Sequence, residues 1–160
     1  MGTKADLTKE QYIKWVKELY QEVKKWIKKE NLLAQEKDVE INEEIPGRYK
    51  APGLSIKDKD GKRIAELRPV GAWIIGAKGR VDVIGSLDQT HLVYIEPPGP
   101  GITTTISTTS EELEKKTTLL FRGVNLAGWY WIEDKRRGKA HLLDAKLFME
   151  LLAEVSDYGL

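Results

Sequence analysis

Carboxylates beside apolar segments are the residues of this chain best placed for acid–base chemistry. Asp82 lies within a segment rich in β-branched residues, and Glu96 directly follows another. Burial among such residues can make a carboxyl group retain its proton and act as an acid. Asp134, in a charged turn, is a third candidate. A small hydrolase with a carboxylate site is therefore one alternative for the function. The competing interpretation is an ion pair, because Arg80 shares a face with Asp82 if the segment is a strand.

The two histidines do not add to this chemistry. His91 and His141 are fifty positions apart, and neither belongs to a His-x-x-His or His-Glu-x-x-His pattern. We expect each to lie at the surface or at a strand edge. The chain contains no cysteine, which excludes thiolate metal sites and a cysteine nucleophile. The sequence thus predicts a protein with no metal and no cofactor.

Arginine and tryptophan side chains interleave in the last third of the chain, at Arg122, Trp129 and Trp131. These residue types dominate protein interfaces because they are rigid and easily desolvated, and they also suit base stacking. We predict a binding surface made of these three residues with Arg80, and with Asp82 as the orienting partner of Arg80. The competing expectation is that both tryptophans belong to the core.

A glycine motif overlaps this region. The segment 74–80, IIGAKGR, resembles the GXXG loop of K-homology domains, which joins two helices and clamps a nucleic-acid backbone. The resemblance covers only these seven residues and implies RNA binding. However, Pro69 opposes a helix before the motif, and apolar and polar residues alternate after it. We therefore interpret residues 72–84 as a β-hairpin with its turn at Ala77 and Lys78.

The length and net charge of the chain limit the number of domains and the kinds of partner that are expected. The 160 residues fit one ordinary domain, 1–160, and the net charge of +1 requires neither a nucleic acid nor an acidic partner. The first thirty residues alternate charged and apolar positions without a continuous apolar core, so no secretory leader is predicted. No run approaches the ~20 apolar residues of a membrane span. We expect a soluble, cytoplasmic protein that does not act at a membrane.

Two helices are predicted at the two ends of the chain. Residues 8–30 carry apolar side chains on one face and lysines on the other, with Thr8 as the expected cap. Residues 145–156 form the second helix, capped by Asp144. We expect Val16, Leu19, Val23, Leu147, Phe148 and Leu151 to be buried against a sheet.

About six short strands are predicted within residues 53–142, where the apolar period changes to two. The preceding residues 31–52 are polar and mixed, with turn signals at Pro46-Gly47 and Pro52-Gly53. The threonine-rich segment 102–118 is either a loop or an exposed strand. Short connections favour an antiparallel meander. The predicted class is α+β, a curved antiparallel sheet flanked by a long N-terminal and a C-terminal helix.

The function favoured by these observations is non-catalytic binding of another macromolecule. The partner is expected to be a protein or a second copy of the chain. A nucleic-acid-binding module that uses the lysine-rich helix face or the Arg–Trp strands is the first alternative. The hydrolase is the second.

Overall fold

A computed structural model gives the fold. It describes the backbone of residues 4–44, 47–72, 77–97, 99, 101–107, 113–119, 121–133 and 138–159. Helix α1 spans Lys4–Lys28 and helix α2 spans Ala145–Val155. The strands in these ranges are β1 Leu33–Asn42, β2 Arg48–Lys57, β3 Arg63–Gly71, β4 Gly79–Gly85, β5 Gln89–Ile95, β6 Gly101–Ser107, β7 Leu113–Leu119, β8 Gly128–Ile132 and β9 Ala140–Leu142.

Seven of these strands form one antiparallel sheet in the order β1-β2-β3-β4-β5-β8-β9. Each strand therefore pairs with its neighbour in the chain, except where the β6–β7 hairpin is inserted between β5 and β8 as a separate two-stranded sheet. The α+β class and the antiparallel meander are confirmed. The insertion falls on the threonine-rich segment, for which a strand was one of the two predicted states, and the structure has two paired strands there.

Helix α1 forms because its apolar residues recur at three- and four-residue intervals and meet the sheet along one stripe. Its buried side chains are Tyr12, Val16, Leu19, Tyr20, Val23 and Ile27. The predicted cap at Thr8 is wrong, because the helix already begins at Lys4. The helix ends before Asn31, whose φ of 59° is the left-handed conformation that asparagine tolerates better than most residues.

Helix α2 follows the sequence prediction closely. The side chain of Asp144 accepts a hydrogen bond from the amide of Leu147 at 2.7 Å, so the predicted cap is confirmed. Phe148 is fully buried and its ring lies 5.8 Å from that of Trp26 on α1, whereas Leu147, predicted to be buried, is only half-buried. Helices α1 and α2 share one buried cluster with the strands. Both helices therefore cover the same face of the sheet.

The first strand was not predicted. β1 is an edge strand, and nearly all of its residues are exposed or half-buried, with only Ile41 buried. Its charged sequence gives no apolar alternation, and charges on a free edge discourage pairing with another chain. The turn predicted at Pro52-Gly53 is also wrong, because both residues lie within β2 and pair with β1. Proline is tolerated there because β2 pairs with β3 only from Leu54 onward.

The predicted hairpin at 72–84 has the wrong partner. β4 is a strand as expected, but it pairs with residues 65–71 of β3 rather than with the residues just before Ala77. The two-residue turn at Ala77 and Lys78 is therefore replaced by a longer connection, in which residues 73–76 lie outside the described residues. A strand, not a helix, begins at the second glycine of the motif. The resemblance to K-homology domains accordingly has no structural counterpart there.

Candidate interaction site on the open face of the sheet

The side-chain alternation of β4 divides the site from the core. Val81 and Val83 are fully buried against the helices, so Arg80 and Asp82 must lie on the opposite face. We call the outward side of β3, β4 and β5 the open face. Among the residues on it are Glu66, Arg68, Arg80, Asp82, Ile84 and His91, all half-buried or exposed.

Asp82 is the centre of a three-residue cluster on this face. Arg80 donates to both of its carboxylate oxygens, from Nε to Oδ1 at 2.7 Å and from Nη2 to Oδ2 at 3.1 Å. His91 lies directly opposite Asp82 on β5, and its Nδ1 is 2.7 Å from the same Oδ1. Such two-point pairing fixes the plane of the guanidinium group. The predicted contact between Arg80 and Asp82 is thus present.

The geometry also assigns the tautomer of His91. A carboxylate oxygen can only accept, so the Nδ1 of His91 must carry the proton that it donates to Asp82. The Nη2 of Arg80 is 3.0 Å from that same nitrogen, and this is a close approach rather than a hydrogen bond. Asp82 therefore holds both neighbours. The side chain of Asp82 is only 14% exposed, against 32% for Arg80 and 30% for His91.

Arg68 extends the cluster onto β3. It lies directly opposite Asp82 in the strand register and is exposed. The carboxylate of Asp82 is already occupied by Arg80 and His91, and Arg68 makes no ion pair with any residue that the structure describes. On the same strand, Glu66 pairs instead with Arg63. Arg68 is therefore left without an ion pair within the described residues, beside the fixed pair of Arg80 and Asp82.

Helix α1 holds the back of the cluster in place. The hydroxyl of Tyr12 donates to the backbone oxygen of Arg80 at 2.6 Å and accepts from the amide of Val70 at 3.1 Å. The helix approaches β4 so closely that a Cβ on Gly79 would lie 2.5 Å from the Tyr12 ring. Burial raises the pKa of the Tyr12 hydroxyl well above its ordinary range. The group therefore remains a neutral donor that fixes Arg80 from the covered side.

The predicted tryptophans do not join this cluster. Trp129 is 7% exposed on the covered face, and its Nε1 donates to the backbone oxygen of Trp15 at 3.1 Å. Trp131 is half-buried on the same face and donates to the hydroxyl of Thr90 at 2.9 Å. The residues predicted to form one binding surface therefore lie on opposite faces of the sheet, Arg80 on the open face and the two tryptophans on the covered face. Trp129 is a core residue.

Arg122 lies elsewhere again. Its backbone forms an isolated bridge with Lys139 next to β9, and its side chain is exposed. The neighbouring Phe121 and Val124 pack on a second buried cluster formed by Ile95, Tyr130 and Ala140. The segment that contains Arg122 thus covers the β8–β9 end of the outward face. The open face ends where that cluster begins.

The candidate carboxylates also fail to converge. Asp82 is opposite His91, and Glu96 lies five residues beyond His91, just past the end of β5, about 17 Å away for an extended chain. Asp134 lies outside the described residues. His141, the other histidine, contacts Glu133 at 2.6 Å on an exposed part of β9. Within the described residues, no three histidine or acidic side chains come together as a metal site.

The lysine face of α1 is exposed, as expected, but part of it is paired. Lys24 contacts Glu36 of β1 at 2.7 Å, and Lys25 contacts Glu22. Lys14 and Lys17 are exposed, and so is the acidic residue Glu18 beside them in the sequence. Part of the positive charge of this helix is therefore neutralised by nearby carboxylates. Among the described helices, none has the length and apolar content needed to cross a membrane.

Comparison with known proteins adds no family to this description: no family model matches the sequence, and neither the curated proteins nor the solved structures contain a match.

Proposed function

We propose that the chain is a non-catalytic binding protein whose open face recognises an acidic segment of another protein. The observation that carries the proposal is the arrangement around Asp82. Two of its neighbours are fixed by its carboxylate, whereas the third, Arg68, is exposed and makes no ion pair within the described residues. A carboxylate from a partner can pair with Arg68 without displacing Asp82.

Preorganisation of the surface around Arg68 supports this assignment. Binding is stronger when side chains do not need to be ordered on contact. Arg80 is held by a two-point ion pair on its side chain and by Tyr12 on its backbone. Partly exposed apolar side chains, Ile84 and Val93, adjoin the charged cluster. A fixed arginine beside apolar surface is a common centre of a protein interface.

A protein partner is favoured over a nucleic acid. A partner carboxylate can contact Arg68 alone, whereas the phosphates of a nucleic acid recur at every nucleotide and would also meet the carboxylates of Glu66 and Asp82. Single-stranded nucleic acids also need exposed aromatic rings for stacking, and Trp129 and Trp131 lie on the other face. The hydrolase receives less support still, because Glu96 lies just past the end of β5, about 17 Å from the position of His91 and Asp82 for an extended chain.

Affinity for charged probes tests the proposal. We would titrate the protein with a glutamate-rich peptide and with a single-stranded RNA of the same length. Arg68→Glu should weaken peptide binding about tenfold, since a rim charge is reversed next to a partner carboxylate. Lys14→Glu makes the same charge change on exposed α1 surface and should leave the peptide affinity within about twofold.

Two results would contradict the proposal. One is tighter binding of the RNA than of the peptide at equal salt, which would favour the nucleic-acid alternative. The other is an equal loss in both variants, which would show that the peptide responds to overall charge rather than to the open face.

A further inference from the structure

On the other side of the molecule, α1 and α2 leave an apolar groove between them. The groove has a volume of about 470 Å³. Its floor contains Trp26 of α1 and the stripe Ala145, Met149 and Ala153, which recur every four residues on α2. Trp26 and Met149 are half-buried, and the two alanines are exposed. The small alanines on either side of Met149 allow another helix to approach closely.

The rim of the groove carries both signs of charge. Lys29 and Glu30 follow the end of α1, and Lys146 and Glu150 lie on α2. All four are exposed, and none makes an ion pair with a residue in the described part of the chain. Two positive and two negative charges give the rim no net charge. Such a rim matches neither a uniformly acidic nor a uniformly basic partner, but it can match itself.

Two-fold symmetry turns this rim into a set of complementary pairs. When two copies of α2 pack antiparallel with Met149 at the crossing point, Ala145 of one copy faces Ala153 of the other. Lys146 of each copy then lies beside Glu150 of the other, which gives two equivalent ion pairs. A two-fold interface requires this self-complementarity. We propose that the groove binds the same groove of a second copy of the chain, forming a symmetric dimer through α2.

The dimer is independent of the function proposed for the open face. Both helices cover one face of the sheet, and Arg68 and Asp82 lie on the other. Pairing through the helices therefore leaves the open faces of both copies accessible. A dimer with two such faces would gain affinity for a partner that carries repeated acidic segments.

Charge exchange at two positions tests the dimer directly. Sedimentation velocity over a wide range of concentrations should show a monomer–dimer equilibrium for the unmodified protein. Lys146→Glu alone and Glu150→Lys alone should each weaken the dimer about tenfold or more, because like charges then face each other twice. Both positions are exposed, and circular dichroism would verify that the variants remain folded. Lys17→Glu, an exposed change on α1 outside the groove, should leave the equilibrium unchanged.

An equal mixture of the two weakened variants provides the decisive arm. One copy then carries two glutamates and the other two lysines, so both cross-pairs are attractive and the mixture should dimerise. A partner of another kind would not produce this rescue. Three results would overturn the proposal: a monomer at every concentration, which would leave the groove to a different protein; a dimer insensitive to both variants; or a mixture that stays monomeric.

Discussion

Along β4, Val81 and Val83 are fully buried against the helices, whereas their immediate neighbours Arg80 and Asp82 keep part of their surface in solvent. The covered face gains its stability from apolar contact with α1 and α2. The open face instead holds a charged cluster of side chains that touch one another. In β4, every second residue therefore belongs to the core, and the residues between them belong to a candidate interface.

This difference separates the expected effects of substitutions. Changes on the covered face should alter the free energy of unfolding and leave the surface chemistry intact. Changes on the open face should do the reverse, because exposed ion pairs contribute little to stability. A substitution that affected both properties equally would break the distinction.

The largest expected effect on stability is that of Leu151→Ala. Leu151 is 1% exposed within the cluster shared by both helices and the sheet. Its truncation should lower the free energy of unfolding by about 2–5 kcal/mol, from lost burial and the cavity left behind. Chemical denaturation would measure the change. An unchanged denaturation midpoint would mean that α2 is not part of the core.

Alkaline pH should weaken the covered face next. Burial raises the pKa of Tyr12 and Tyr20 well above the ordinary value, whereas both hydroxyls titrate near pH 10 in the unfolded chain. Stability from these groups is complete below about pH 10. Above that pH it should fall by about 1.4 kcal/mol per pH unit for each tyrosine, until the folded pKa is reached.

Urea denaturation at about pH 9 and about pH 11 would measure this slope. The variant Tyr20→Phe removes one of the buried tyrosines that titrate in this range and should reduce the slope by the contribution of that one tyrosine. An identical slope in the variant would show that Tyr20 is ionised in the folded protein as readily as in the unfolded chain.

Tyr12→Phe probes the connection between the two faces. The substitution leaves the oxygen of Arg80 and the amide of Val70 without their partner, which should cost about 1–3 kcal/mol. The amide resonances of Arg80 and its neighbours should shift as well, since Tyr12 fixes that backbone. Loss of stability without any shift at Arg80 would mean that α1 does not position the cluster.

The smallest effect on stability is expected for Arg68→Ala. Arg68 is exposed and makes no ion pair within the described residues, so the free energy of unfolding should change by no more than about 0.5 kcal/mol. Thermal unfolding would measure it beside Leu151→Ala. A loss comparable to that of Leu151→Ala would place Arg68 in a structural role and contradict its assignment to an open surface.

Elements with a clear apolar period could be predicted from the sequence, and those governed by strand register could not. The stripe of α2, its Asp144 cap and the strand after Gly79 follow from local patterns, and the structure contains all three. β1 escaped prediction because an exposed edge strand carries charges instead of alternating apolar residues.

The candidate site was predicted only in part for the same reason. Arg80 and Asp82 are two positions apart in one strand, so their shared face is visible in the sequence. His91 joins them only because the register of β4 and β5 places it opposite Asp82. A shift of one residue would turn His91 to the other face. Strand register also decides which face a side chain occupies in β8. For this reason Trp129 and Trp131, predicted as partners of Arg80, lie on the covered face.

Amide chemical-shift mapping locates the face that binds the glutamate-rich peptide, because the backbone amides of all strands are observed in one experiment. We expect the largest shifts at Arg68, Asp82 and His91, and only small shifts at the exposed residues of α1. Shifts centred on Lys14, Lys17 and Lys28 would contradict this expectation, because the peptide would then bind the lysine-rich helix and not the open face.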